Sequence, residues 1–328
     1  MYNFGIVGCG VAANIHASAL AHIPNACLLG VADNSFAVAE SFVKTHGGKA
    51  YKNYEEMLKD SDLDAVCICT PSGFHAENAI QALQSGKHVV LEKPMALTVE
   101  ETDEIIRVCE QTGKYLTVIS QLRFSEDILQ VKNWVKEGVF GKIVLCDLYM
   151  KYWRSKGYYE GTWKGTKKFD GGGALLNQGI HGVDLLEYIV GPVRNLQSKI
   201  KTLVHDIEVE DTAVALLEFE NGALGVIEAS TCTYPGFERK LKIHGDNGYV
   251  ILQENQIVEY RIGAKHVRFD KAAEICTVSD PTALPYDKHK LQIQNLIAAI
   301  EGREELLIDC YEGRKAVKLI NEIYKNGA

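Results

Sequence analysis

Short apolar runs alternate with amphipathic stretches through the first third of the chain. The runs at 4–7 and 27–32 read as strands, separated by a helix over 11–23 that Pro24 ends. A helix over 36–45 stops at Gly47-Gly48, and 64–69 is a run that is apolar throughout after Asp64. Such a run suits a strand buried on both faces. A helix over 75–85, a strand over 88–91, a helix over 99–112 and a strand over 115–119 complete the series. Repeated strand–helix units of this length predict a parallel, doubly wound α/β sheet.

The pattern changes near residue 120. One helix (126–137) leads to a strand (143–150), then to a loop rich in Tyr, Trp, Lys and Gly, then to a helix over 174–190. Strands follow at 213–220, 223–232, 240–244, 249–253 and 257–261, with tight-turn signals at Asn221-Gly222 and Asn247-Gly248. Helices over 290–301 and 312–325 close the chain. This predicts a second, α+β domain: a mostly antiparallel, open-faced sheet with helices on one side. The expected boundary falls between 1–120 and 121–328.

Composition narrows the function. The 328 residues are 46% hydrophobic and 24% charged, as in an ordinary globular protein. No apolar run approaches the ~20 residues of a bilayer span, and Met1-Tyr2-Asn3 has no basic leader. A cytoplasmic location and no membrane partner are therefore expected. A formal charge of −8 argues against nucleic acid as a partner. The nine cysteines are scattered without Cys-x-x-Cys spacing, so they read as reduced thiols, with no metal site.

The first strand runs into Gly8-Cys9-Gly10-Val11-Ala12-Ala13, a Gly-x-Gly-x-x-Ala turn that opens a helix. In that context Gly8 makes the turn, Gly10 admits a pyrophosphate and Ala13 allows close helix packing. The helix N-terminus favours the phosphate charge. Asp33 stands twenty residues past Ala13 at the end of the second strand. Its carboxylate suits the ribose hydroxyls of NAD and repels the 2′-phosphate of NADP. Thr70, Pro71, Ser72 and His75 follow one buried strand, and Glu92-Lys93-Pro94 another. Ligands of open sheets bind at such carboxyl ends, so these residues, with Gln121 just past the last strand, are expected to contact the cofactor.

These pieces, together with 171–181 (Gly-Gly-Gly-Ala-Leu-Leu-Asn-Gln-Gly-Ile-His) and the closing 309–324, resemble the glucose–fructose oxidoreductase / inositol 2-dehydrogenase / MocA family along essentially the whole chain. The resemblance implies a Rossmann domain plus an open-faced sheet domain, a nicotinamide cofactor, sugar-like substrates, and homodimers or homotetramers. It also implies that Lys93 is the active-site lysine and His181 the acid/base. Many members carry Asp where this chain has Asn177, so His181 and Lys93 both stand as possible proton acceptors.

The helix pattern places Asn177, His181 and Asp184 at i, i+4 and i+7, on one face. Asn177 and Asp184 are then expected to hold substrate hydroxyls. The loop over 151–170 carries six cations against two anions, interleaved with aromatics. Arg154, Tyr158 and Trp163 suit an anionic sugar ring, and this loop resembles the nucleotide-sugar 3-dehydrogenases of the family. The expected activity is oxidation of a secondary hydroxyl of a sugar, sugar acid, nucleotide sugar or polyol to a ketone. The alternatives are an NAD-dependent glycosidase that uses transient oxidation and a non-catalytic NAD or sugar sensor.

Overall fold

A computed structural model describes residues 1–269 and 285–327. The chain forms two compact units. The first contains Met1–Gln121 and, from the far end of the chain, the helix Asp287–Ile300 and the residues up to Arg314. Its six-stranded parallel sheet is built from β1 (Tyr2–Val7), β2 (Ala26–Ala32), β3 (Lys49–Tyr51), β4 (Ala65–Ile68), β5 (His88–Leu91) and β6 (Leu116–Val118). The strand order is β3-β2-β1-β4-β5-β6. The order reverses between β1 and β4, so the loops leaving these strands emerge side by side, the usual ligand position in a doubly wound sheet. The helices are α1 (Val11–Ala21), α2 (Phe36–His46), α3 (Tyr54–Leu58), α4 (His75–Gln84) and α5 (Val99–Thr112).

Of the 121–328 expected in the second domain, residues 285–314 group with the first unit. Ile293, Leu296 and Ile297 share one hydrophobic core with Ala13, Ala17 and Leu20 of α1. Buried Gln292 donates to Thr117 Oγ1 (2.8 Å) and the Val118 carbonyl (2.7 Å), and accepts from the Ser120 amide (3.2 Å). The amphipathic pattern showed a helix here; its partner face was not readable from the pattern.

The second unit begins at Leu122 and takes the chain back at Lys315. It holds α6 (Glu126–Lys136), β7 (Ile143–Lys151), α7 (Ile180–Val190), β8 (Val193–Lys201), β9 (Thr212–Phe219), β10 (Leu224–Ser230), β11 (Lys240–Gly245), β12 (Gly248–Gln253), β13 (Gln256–Ile262) and β14 (Lys265–Arg268). These strands form one sheet, ordered β14-β13-β12-β11-β7-β10-β9-β8, antiparallel except for β7 against β10. Short β3, α3 and β14 and the polar strand β8 had no predicted counterpart. After α8 (Asp287–Ile300), α9 (Cys310–Gly327) ends the described chain. Cys276 lies outside the described residues; the other eight cysteines form no disulfide.

The predicted helix over 174–190 is two structures. Ala174–Gly179 is a π-helical segment and only Ile180–Val190 is α-helical. A π turn spreads side chains more widely than an α turn and commonly marks functional sites, so the uniform 3.6-residue stripe through Asn177, His181 and Asp184 does not hold.

Candidate functional site

Gly8 has φ +85°, and a Cβ there would sit 2.8 Å from the Cys69 carbonyl group. The turn therefore presses against the chain leaving β4 and requires glycine. The Cys9 amide donates to Asp33 Oδ2 (2.9 Å) and the Ser35 amide to Asp33 Oδ1 (2.9 Å). Each carboxylate oxygen keeps a further acceptor position. Burial, with Asp33 second, pushes the Cys9 thiol up to about 12, so Cys9 serves the turn through its main chain. Gly10, the N-cap of α1, makes no side-chain cap, and a Cβ on it would meet nothing within 4 Å. Val11 and Ala12 begin the helix behind it. The α1 N-terminus thus offers amide donors beside open space.

At the chain leaving β4, Ser72 is buried and Thr70 Oγ1 accepts from Asn78 Nδ2 (3.1 Å). Buried Gln121 has a side-chain oxygen without a hydrogen-bond partner. These features fit a dinucleotide: uncapped amides for phosphate, a carboxylate at the end of β2, and an unclaimed acceptor.

Two of the expected cofactor contacts make polar contacts within the protein. His75 is buried, with Nδ1 2.7 Å from the Pro94 carbonyl and Nε2 2.9 Å from the Thr70 carbonyl. Burial holds its imidazole below the usual range; it ties the Thr70 and Pro94 loops together. Glu92 Oε1 lies 2.8 Å from His16 Nε2 and 3.7 Å from His289 Nε2, while Oε2 accepts the Lys93 amide at 3.3 Å. Pro71 and half-buried Lys93 stay beside these anchored loops.

In the second unit, Glu210 caps the π segment. Its Oε2 accepts from the Gly173 amide (2.9 Å), and its Oε1 from the Leu175 amide (2.8 Å) and the Tyr324 hydroxyl (2.9 Å). A Cβ on Gly172 would lie 2.1 Å from the Tyr324 hydroxyl, and one on Gly173 2.0 Å from the Glu210 carbonyl oxygen. Those close approaches explain the glycine run.

Asn177 donates to Asp170, which is buried and also accepts the Gly165 amide (2.7 Å). Gln178 Nε2 donates to Asn177 Oδ1 (2.9 Å) and the Tyr158 hydroxyl (2.9 Å). Arg154 donates to Gln178 Oε1 from Nε (3.1 Å) and Nη2 (2.7 Å). Its guanidinium lies 5.5 Å from the Tyr158 ring centre, and Lys164 Nζ lies 3.9 Å from it. A hydrogen-bonded chain therefore joins anionic Asp170 to cationic Arg154 through two amides. Arg154, Tyr158 and Asn177 are brought together; Trp163 is part-exposed, its carbonyl accepting from Thr166 Oγ1 (2.7 Å). His181 is half-buried in the first turn of α7.

Asp184 is corrected as a substrate contact. It is 5% exposed, with Oδ2 3.0 Å from Arg123 Nε and Oδ1 2.6 Å from Arg123 Nη2. Arg123 is itself buried, with the Tyr188 ring centre 4.5 Å away. Asp184 serves the interior. The residues that sequence reasoning missed are Gln178, Glu210 and Tyr324, and Asp170 as the partner of Asn177. Asp170 was visible as one of two anions in a basic loop; Glu210 lies outside every motif.

The two units define a nicotinamide-dependent oxidoreductase with a separate sheet domain. Residues 2–120 match the oxidoreductase family with NAD-binding Rossmann fold and 128–251 the GFO/IDH/MocA C-terminal domain. The chain belongs to the Gfo/Idh/MocA family. It is 31% identical to glucose-6-phosphate 3-dehydrogenase of Bacillus subtilis over 275 residues, covering 76% of each chain. Myo-inositol 2-dehydrogenase of Thermotoga maritima is 29% identical over 75% of this chain and 73% of that one. The crystal structure of the WlbA dehydrogenase from Bordetella pertussis, in complex with NADH and UDP-GlcNAcA, is similar at TM-score 0.89 and 32% identity. That match covers 99% of this chain and 95% of that one.

The cofactor of this oxidoreductase is NAD. Gly10→Ala should leave thermal unfolding unchanged, because the added methyl meets no protein atom. It should weaken NAD at least about tenfold, near 1.4 kcal/mol, by filling the space a pyrophosphate needs. Equal NAD affinity by calorimetric titration would contradict this. Asp33→Ala should abolish a preference for NAD over NADP of at least about tenfold. A starting protein that binds both equally would remove Asp33 from cofactor choice.

Proposed function

We propose that this protein oxidises a secondary hydroxyl of an anionic sugar, foremost a nucleotide-linked sugar acid, to a ketone with NAD. The observation that carries the substrate reading is the 151–170 loop, where Arg154 and Lys164 flank Tyr158 and Gln178 connects them to Asn177. Cations serve a carboxylate or diphosphate, and an aromatic face serves a pyranose ring. The likeness to WlbA along almost the whole chain supports the same class.

NAD supplies the hydride acceptor. The residues that would hold it are Gly8, Cys9, Gly10, Val11 and Ala12 through the turn, Asp33 at the adenosine ribose, and Thr70, Pro71, Ser72 and Gln121 at the strand ends. Lys93 hydrogen-bonds the reacting oxygen and favours alkoxide character, and His181 exchanges its proton. Asn177, oriented by Asp170 and Gln178, holds a neighbouring hydroxyl. The Asp170 carboxylate sits one hydrogen bond behind Asn177, so charge near this position comes from residue 170.

The protein is proposed to act in the cytoplasm as a homodimer or homotetramer; no described helix is long and apolar enough to cross a membrane. The outward face of the second sheet supports association. Leu145 pairs with Leu224 and Leu216 with Val226, and Leu145, Leu216 and Leu224 are 43%, 57% and 57% exposed. Such apolar patches mark interaction surfaces.

NADH absorbance over UDP-GlcNAcA, glucose 6-phosphate, glucuronate, glucose and myo-inositol tests the function. The anionic compounds should be the better substrates, and their KM should rise with salt as exposed charges are screened. A neutral polyol as best substrate, with KM indifferent to salt, would overturn the anionic reading.

A further inference from the structure

We propose that His16, Glu92 and His289 are positioning residues: one largely buried carboxylate, flanked by two histidines, that fixes the main chain at Lys93. The inference rests on the reading of Lys93 given above. The three groups come from α1, the exit of β5 and α8, all in the first unit. The side chains of His16 and His289 are 0% and 4% exposed, and that of Glu92 is 12% exposed. An unpaired carboxylate so placed is strongly disfavoured, so the cluster needs an imidazole N–H directed at it.

His16 is that imidazole. Burial opposes its charge, the thiols of Cys69 and Cys67 beside it favour the charge, and the result lies well above the usual range. Burial likewise opposes ionisation of Glu92, but His16 and His289 hold it well below the usual range. Burial keeps His289 below its own. His16 Nε2 thus faces Glu92 Oε1 at 2.8 Å, with His289 Nε2 3.7 Å away on its other side. The remaining titratable groups facing the cluster are His75 from α4 and Lys93 itself.

The consequence falls on Lys93. Glu92 Oε2 accepts its amide, and His75 grips the Pro94 carbonyl on the other side. The lysine is therefore held from both flanks by histidines distant in sequence. The same three ligand atoms lie within 4.8 Å of one another, close enough for a divalent cation. Metal-bound imidazoles, however, pass their second N–H to an acceptor, and Nδ1 of His289 is buried without one. Proton sharing fits better.

The test uses the full chain labelled with nitrogen-15 lysine and histidine, the Lys93 amide being assigned by its loss in Lys93→Arg. Glu92→Gln and His289→Gln should each move that amide by more than its linewidth, while the amide of exposed Lys52 stays in place. In the unaltered protein, a slowly exchanging His16 Nε2–H should be present whether or not the variants fold. An unmoved Lys93 amide in folded variants, or a missing His16 ring proton, would overturn the proposal. So would stoichiometric zinc in the purified protein that is lost in His289→Gln. Lys93→Ala retaining turnover with NAD and UDP-GlcNAcA would instead remove the role given to Lys93 and leave the amide result standing.

Discussion

Lys93→Ala should lose about 10²–10⁴-fold in turnover, the range for removing an acid/base group or the donor that polarises the reacting oxygen. Lys93 leaves β5 at the carboxyl end of the parallel sheet, where such sheets bind ligands. The loop that carries it is anchored on both sides, by Glu92 through its amide and by His75 through Pro94. An anchored main chain limits where the ammonium can reach, which is what a group acting on one oxygen atom requires. NAD affinity should change much less than turnover, because the dinucleotide is held by the Gly8–Ala13 turn and Asp33. Steady-state turnover and NAD titration on the same variant separate the two effects. A variant that keeps most of its turnover would take Lys93 out of the mechanism.

Asp184→Ala should destabilise the protein by about 3–5 kcal/mol, the cost of breaking a buried pair by removing one partner. The variant leaves the buried Arg123 guanidinium without the carboxylate that meets it at 2.6 Å and 3.0 Å. Replacing both residues with leucine should recover much of the loss, since well-packed apolar side chains often match a buried ion pair. Denaturant unfolding of the single and double variants measures both. The same variants separate the interior role from a substrate role. Were Asp184 a hydroxyl contact, Asp184→Ala would raise KM with stability intact, and the double variant would rescue nothing.

The sequence by itself determined what depends on near neighbours. Helix α5 was readable to its ends because Thr98 and Glu101 form a reciprocal capping box and Gly113 adopts the left-handed conformation after Thr112. The Gly8–Ala13 turn, Asp33 and the Asn221-Gly222 hairpin were legible for the same reason: their geometry is imposed by residues a few positions away. The alternation of buried runs and amphipathic helices likewise announced a doubly wound sheet followed by an antiparallel one.

Only the tertiary structure decided the partners of the polar residues. Arg123 and Asp184 are 61 positions apart, and nothing in a helical stripe says whether its carboxylate meets substrate or a buried guanidinium. The π turn through Asn177 exists because Glu210 and Tyr324, distant along the chain, take the amides of Gly173, Leu175 and Leu176. His289 reaches Glu92 because α8 packs against α1. Hydrophobic periodicity states that a face is buried but not what buries it. A polar group taken out of water must be paired, and the pairing is set by whichever distant group the fold delivers to it.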